Sequence, residues 1–163
     1  MNVSRALKEI FKQDFSCLTE NIYLKESFGR TLSKPVTINK SIPEFDTSSM
    51  DGFAVKKSSL GNINRFTVLG ETPAGARSSY TIKPNECVKV YTGSRMPKNA
   101  DFVVIQENTL SQGNFMYVND YDKKSSYVRK TGLDFKKGQI ISNPMLIDYK
   151  LISALASLNL EKV

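Results

Sequence analysis

The chain has 163 residues, of which 40% are hydrophobic and 24% are charged, so it can bury one ordinary core or two small ones. It contains no histidine, which excludes a Ser-His-Asp triad, a Cys-His pair and the histidine-containing zinc sites. Cys17 and Cys87 lie far apart in sequence, and we expect two buried, reduced thiols rather than a disulfide framework.

The amino-terminal segment alternates charged and apolar residues, unlike a signal peptide. No apolar run in the sequence approaches the roughly 20 residues that cross a bilayer. We therefore predict a cytoplasmic protein with no membrane partner.

The net charge of +7 favours anionic partners such as nucleic acid, a membrane surface or a phosphorylated small molecule. The basic residues are scattered, often in pairs, and no interleaved aromatic array accompanies them. We interpret this charge as solvated surface and predict no nucleic-acid partner.

The first predicted element is an amphipathic helix over residues 3–18, with Ser4 or Asn2 as its N-cap. Its apolar stripe consists of Val3, Leu7, Ile10, Phe11 and Leu18. Residues 24–29 then predict a short helical turn, and residues 31–38 predict an extended segment.

From about residue 38 to residue 138, short strands alternate with turn residues. The predicted strands are RFTVL, CVKVYT, DFVVIQ, NFMYVN, SSYVRK and QIIS. The segment IDYKLISALASLN then predicts a helix with Asp148 as N-cap and Asn159 as C-cap. These patterns indicate an α+β fold that is mostly β. Residues 1–38 and 139–163 are predicted to form a helix/strand subdomain from both chain ends, into which a β-rich subdomain of residues 39–138 is inserted.

Three polar segments carry the candidate chemistry, and the first is IPEFDTSSMDGFAV at residues 42–55. Asp51 stands beside Gly52, which permits a close approach of the backbone to a ligand or phosphate. The alternative is a loop before the strand FAV that is stabilised by its own side chains. The side chains that can satisfy this loop's backbone groups are Asp46, Ser48 and Ser49.

The second segment places Thr92, Gly93 and Ser94 directly after the strand VKVY, and sites are commonly built where a strand ends in a glycine loop. The Thr92 hydroxyl can donate to an oxyanion or a phosphate while Gly93 lets the backbone approach. An ordinary turn between two strands is an equally good interpretation of the local sequence.

The third segment, RKTGLDFKKG at residues 129–138, places Asp134 among four cations. This aspartate is either one half of a solvated ion pair or a carboxylate kept ionised for metal or proton chemistry. The local sequence leaves both interpretations open.

Taken together, these segments resemble the amino-terminal region, domains I and II, of the MoeA-type molybdopterin molybdenumtransferase family, which includes the E domain of gephyrin. The segment from Pro43 matches Pro-x-x-Asp-x-Ser-x-Met-Asp-Gly-Tyr/Phe-Ala-Val, and residues 70–75 match Gly-Glu-x-x-Ala-Gly. TGSRMPKNADFVVIQE matches Thr-Gly-Ala-x-x-Pro-x-Gly-Ala-Asp-x-Val-Val-x-x-Glu, with Ser94 in place of alanine and Asn99 in place of glycine. Residues 129–138 match Arg-x-x-Gly-x-Asp-x-x-x-Gly.

The resemblance implies a transferase of molybdenum cofactor biosynthesis that takes adenylylated molybdopterin and molybdate, releases AMP and uses Mg²⁺. It implies that Asp51, Thr92 and Asp134 are catalytic residues. Because both substrates are anionic, we expect Asp51 and Asp134 to bind the metal, position water or transfer a proton. We expect Thr92 to hydrogen-bond an oxyanion. The expected cofactor-binding residues are Ser49, Gly52, Gly93 and Ser94.

The resemblance also implies a coiled or bifurcated β-sheet in the inserted subdomain and a homodimer with a shared site. The resemblance further implies that the nucleotide-binding domain which follows in the family is missing here, and we expect the chain to be inactive alone. A molybdopterin adenylyltransferase is the expected protein partner. The alternative is a non-catalytic scaffolding or binding module of the same fold, but the presence of all three candidate catalytic residues favours the enzyme.

Overall fold

The computed structural model describes residues 2–13 and 17–163, and the chain divides into two compact units. The first, which we call the terminal unit, comprises Met1–Val36 and Ile141–Val163. The second, which we call the inserted unit, comprises Thr37–Ile140. The chain thus leaves the first unit once and returns to it once.

Helices and strands are both short. The helices are α1 (Val3–Phe11) and α2 (Tyr149–Ser157), with single 3-10 turns at Leu24–Glu26, Lys57–Ser59 and Gln106–Asn108. The strands are β1 (Thr31–Leu32), β2 (Val36–Thr37), β3 (Thr47–Ser48), β4 (Gly52–Val55), β5 (Arg65–Thr72), β6 (Glu86–Val90), β7 (Phe102–Ile105), β8 (Thr109–Gln112), β9 (Phe115–Val118), β10 (Val128–Arg129), β11 (Ile140–Ile141) and β12 (Met145–Leu146). Among the described residues, no helix is long and apolar enough to cross a bilayer.

The terminal unit is built around α2 and the antiparallel pair of β1 with β12. The Asp148 carboxylate accepts a hydrogen bond of 2.9 Å from the backbone N–H of Leu151, which confirms the predicted N-cap. Leu158 is the C-cap and Asn159 follows it with a φ of 60°, so the predicted cap is one residue too late. The core of this unit consists of Leu24, Leu32, Ile147, Leu151 and Leu155.

Helix α1 is shorter than predicted. It begins after Asn2, whose side chain accepts from the backbone N–H of Arg5, and it ends at Phe11. Leu18 lies outside the helix and is fully exposed, and residues 14–16 of the predicted helix lie outside the described residues. No residue of α1 is buried, so its apolar stripe gains none of the tertiary packing that extends short helices.

A six-stranded sheet dominates the inserted unit, in the order β7-β4-β6-β5-β9-β8. Strands β5 and β6 are parallel, and the other neighbours are antiparallel. Successive side chains of a strand point to opposite faces, and both faces of the central strands are buried. One face carries Phe53, Val55, Cys87, Phe102 and Val104. The other carries Ala54, Val88, Val90 and Val103.

The fold class is α+β and mostly β, as predicted. All six predicted strand segments contain β-structure, in β5, β6, β7, β9, β10 and β11. Strand β8 was missed because its sequence, TLSQ, is polar and exposed. It forms a hairpin with β9, where Gly113 has a φ of 57°.

The two thiols differ in their surroundings. Cys87 is buried and burial raises the pKa of its thiol to about 12. Cys17 is exposed, contrary to the prediction that both would be buried, because it follows α1 in a stretch with no core around it.

We expect a thiol reagent at pH 8 to label Cys17 quickly and Cys87 more than about 1000-fold more slowly, because the thiolate is the reactive form. Mass spectrometry of the labelled chain measures this difference. The control, Cys17→Ser, should take up no label when folded and one label in urea. Fast labelling of the folded Cys17→Ser chain would contradict the burial of Cys87.

Candidate functional site

Backbone hydrogen bonds bring the three candidate segments of the inserted unit together. Ser48 donates to the carbonyl of Ser94 and accepts from the N–H of Gly93, both at 2.9 Å. On its other side, β3 pairs with β10, and the N–H of Ser49 donates to the carbonyl of Tyr127 at 2.9 Å. The segment at residues 46–49 therefore lies between the other two.

Asp51 and Thr92 are in direct contact. One oxygen of the Asp51 carboxylate, Oδ1, accepts from the backbone N–H of Thr92 at 2.8 Å and from its hydroxyl at 3.0 Å. The contact arises because Gly52 at the start of β4 pairs with Val90 at the end of β6, which leaves Asp51, just before β4, and Thr92, two residues after β6, at the same edge. Both side chains are exposed.

Gly52 has a structural reason to be glycine. A Cβ at this position would lie 2.1 Å from the carbonyl oxygen of Val104, because β4 and β7 approach closely there. Gly93, by contrast, is exposed and has a φ of 86°, which lets the chain turn directly after Thr92. Of the two predicted cofactor-binding glycines, Gly93 is therefore the one that a ligand can reach.

The two predicted cofactor-binding serines already have partners within the fold. The buried hydroxyl of Ser94 donates to the carbonyl of Thr72 at 2.6 Å and accepts from the N–H of Tyr91 at 2.9 Å. The Ser49 hydroxyl donates to the carbonyl of Tyr127 at 3.0 Å. Both serines fix the loops around Asp51 and Thr92, and their role in cofactor binding stays a prediction.

Asp134 is paired with a cation rather than with the Asp51–Thr92 contact. Its two carboxylate oxygens accept from Nη2 of Arg129 at 2.9 and 2.7 Å. Both side chains are partly exposed, at 44% for Asp134 and 47% for Arg129, so the pair contributes little to stability. The arrangement corresponds to the ion-pair interpretation of the sequence, with Arg129 as the specific partner.

The sequence analysis gave Asp46 only a loop-stabilising role, and the structure shows how far this role extends. Its carboxylate accepts from Nζ of Lys130 and from the N–H of Thr131, both at 2.8 Å. Burial raises the pKa of Asp46, but hydrogen bonds from Lys130 and Thr131 and the charge of Lys130 outweigh it, so its pKa lies below its usual value. Asp46 thus connects the first segment to the third.

Within residues 2–13 and 17–163, no three His, Cys, Asp or Glu side chains cluster closely enough to hold a metal ion. Mg²⁺ often binds through one or two carboxylates and completes its shell with water and substrate phosphates. Of the two predicted metal-binding carboxylates, Asp51 is the one with an oxygen, Oδ2, that has no hydrogen bond to the described residues. At Asp134, a metal would have to displace Arg129.

We expect Asp46→Asn to lower the free energy of unfolding at pH 7 by about 1 kcal/mol, because it removes a charged partner of Lys130. Since the folded-state pKa is lowered, this stabilisation is present above the unfolded pKa of about 4 and is lost as pH falls through the folded value. Urea unfolding of the variant and of the unchanged chain at pH 7 and at pH 3 measures the difference in their free energies of unfolding. Asp120→Asn, at an exposed aspartate whose carboxylate accepts from the N–H of the neighbouring Tyr121, is the control. An equal loss for Asp46→Asn at both pH values would contradict the role of the charge.

Comparison with known proteins relates this arrangement to a family. A family model described as MoeA N-terminal region (domain I and II) matches residues 1–159. The molybdopterin molybdenumtransferase of Staphylococcus epidermidis is 31% identical over 169 residues, which cover all of this chain and 40% of the relative. That of Bacillus subtilis is 33% identical over 132 residues, which cover 76% of this chain and 31% of the relative. The chain thus spans about two fifths or less of the length of these curated relatives.

Two solved structures of molybdopterin biosynthesis MoeA proteins from Pyrococcus horikoshii are also similar. One has a TM-score of 0.83 and 22% identity, and the match covers all of this chain and 43% of that protein. The other has a TM-score of 0.77 and 29% identity, and the match covers 88% of this chain and 39% of that protein. The first likeness shows the fold, and the family match covers nearly every residue. The chain therefore belongs to the MoeA family and corresponds to its amino-terminal region, domains I and II.

Proposed function

We propose that this chain is the amino-terminal part of a molybdopterin molybdenumtransferase in molybdenum cofactor biosynthesis. The reaction inserts molybdenum from molybdate into adenylylated molybdopterin and releases AMP. Support comes from the relatives, which are named molybdopterin molybdenumtransferase. The observation that carries the proposal is the exposed Asp51–Thr92 contact at the strand edge, where a carboxylate is held in one orientation and forms no ion pair with the described residues.

We propose different roles for the two residues of this contact. A threonine hydroxyl has one proton, and that of Thr92 is used on Asp51 Oδ1, so it donates to an oxyanion only after it rotates away. We therefore assign Thr92 first to orienting Asp51 and second to hydrogen-bonding the substrate. Oδ2 of Asp51 is the atom that faces the reaction, as a proton acceptor or as a metal-binding oxygen.

Mg²⁺ is the proposed metal, and Asp51 would hold it. When bound, it would neutralise negative charge on the substrates and so permit a carboxylate beside them. Asp134 is the second proposed metal-binding and catalytic residue, and its use requires release from Arg129. Without that release, Asp134 keeps the side chain of Arg129, the last residue of β10, in place.

The other expectations remain proposals: a cytoplasmic homodimer, an adenylyltransferase partner and no activity of this chain by itself. The alternative function is a non-catalytic module of the same fold. The buried Ser94 and the paired Asp134 favour that alternative, because both already serve the structure. The exposed Asp51–Thr92 contact favours the enzyme.

We test the function in a chimera in which this chain replaces the matching 40% of the Staphylococcus epidermidis enzyme. We expect the chimera to release AMP from adenylylated molybdopterin in the presence of molybdate and Mg²⁺. Asp51→Asn should lower kcat roughly 100-fold, because the amide still accepts from Thr92 but can neither take a proton nor bind the metal well. Asp120→Asn is the matched control and should keep full activity. An active chimera with an unchanged Asp51→Asn variant would remove Asp51 from the mechanism, and an inactive chimera would favour the non-catalytic module.

Thr92→Val tests the orienting role. It keeps the shape and the backbone N–H bond to Asp51 but removes the hydroxyl bond, so we expect kcat to fall roughly tenfold. The Mg²⁺ concentration for half-maximal AMP release should also rise, which a purely structural role would not cause. Thr92→Ser should restore both values. Unchanged Mg²⁺ dependence in Thr92→Val would show that the hydroxyl does not act through Asp51.

A further inference from the structure

The loop at residues 73–79, which we call the crossover loop, lies beside the turn that carries Thr92. It begins where β5 ends, next to Val90 of β6. The side chain of Ala74 would lie 3.8 Å from a Cβ built on Gly93. The first half of the loop therefore faces the turn that follows Thr92.

The second half of the crossover loop is tied to the same turn. The Thr72 hydroxyl donates to the Ser78 hydroxyl at 3.3 Å. The carbonyl of Thr72 in turn accepts from the Ser94 hydroxyl at 2.6 Å. Ser78 is thus connected to the Thr92 turn through two hydrogen bonds.

Tyr80 fixes the end of the crossover loop. Its hydroxyl lies 2.2 Å from where a Cβ of Gly70 would be, at the irregularity between Val68 and Glu71 in β5. Its carbonyl accepts from the N–H of Lys98 at 3.0 Å. Any side chain at Gly70 would displace the tyrosine ring, so this glycine allows the loop to be held against β5.

Arg77 stands between these attachments, three residues after Ala74 and one before Ser78. Three residues span at most about 11 Å, so the backbone of Arg77 lies within that distance of Ala74, which faces the Thr92 turn. The side chain is exposed and forms no ion pair or side-chain hydrogen bond within the part of the chain that the structure describes.

Three other cations of the candidate segments are already engaged. Arg129 is paired with Asp134, and Lys130 with Asp46. Arg95 lies over the ring of Phe45, 4.6 Å from its centre. A site that presents the carboxylate of Asp51 and binds oxyanions needs positive charge. Arg77 is a guanidinium of the loop beside the Thr92 turn that has neither an ion pair nor an aromatic partner among the described residues.

We propose that Arg77 binds a tetrahedral oxyanion at the Asp51–Thr92 contact. The inference rests on the proposed function, which supplies two such groups, molybdate and the phosphates of the adenylylated substrate. A guanidinium presents a planar fork of donors that matches two oxygens of an oxyanion at once. The crossover loop determines where that fork is held.

The first experiment measures binding of molybdate and of inorganic phosphate to the 163-residue chain by equilibrium dialysis at fixed ionic strength. Arg77→Gln should weaken binding of at least one anion roughly fivefold, a moderate effect because the site is exposed. Arg77→Lys keeps a point charge, so its anion affinity should lie between that of the unchanged chain and that of Arg77→Gln. The control is Arg65→Gln, which removes the same charge at the far end of β5, where Arg65 lies over Phe115.

The second experiment separates the two sources of oxyanion in the active chimera. A raised KM for molybdate alone would assign Arg77 to molybdate, and a raised KM for adenylylated molybdopterin alone would assign it to phosphate. Unchanged anion binding and unchanged KM values in Arg77→Gln would overturn the inference, as would an equal loss of anion binding in Arg65→Gln. The proposed function would still stand in that case if Asp51→Asn lowers the activity of the chimera. If Arg77→Gln weakens anion binding but the chimera is inactive, the role of Arg77 in anion binding is supported and the proposed function is contradicted.

Discussion

Residues 46–49 must satisfy their backbone groups on both sides, and the candidate site depends on how they do so. A polar segment cannot leave peptide N–H and C=O groups unpaired away from water. Here Ser48 bonds to Gly93 and Ser94 on one side, and Ser49 bonds to Tyr127 on the other. Segments that are distant in sequence are held together by main-chain bonds, so the arrangement does not rely on weak surface ion pairs. This pairing positions Asp51, which follows two residues later in the chain.

The sheet supplies the rigid part of this arrangement. Strands β4, β6 and β7 bury residues on both faces, whereas antiparallel strands commonly have one face in water. Each strand therefore has little freedom to slide, since a shift by one residue would exchange the side chains of the two faces. The close approach at Gly52 to the carbonyl of Val104 further restricts β4. The Asp51–Thr92 contact lies at the end of this constrained region.

Local sequence predicted the parts of the fold that local physics determines. Alternating apolar residues located the sheet strands, and Asp148 located the start of α2. The exposure of Cys17 and the end of α1 at Phe11 could not be predicted, because both depend on whether a core exists nearby. At the candidate site, the sequence proposed Asp51 and Thr92 as candidates but did not predict their hydrogen bond. The pairing of Asp134 with Arg129, five residues away, was one of two open interpretations. The burial of Ser94 follows from its bond to Thr72, which is distant in sequence.

The parallel pairing of β5 with β6 determines how the site can change in evolution. Two parallel neighbours need a connection that runs from the end of one strand back to the start of the next, and here that connection includes the crossover loop. Exposed connections accept insertions and substitutions far more readily than the strands they join. Descendants of this chain can therefore vary the charge and length of the crossover loop while the buried strands that position Asp51 stay unchanged.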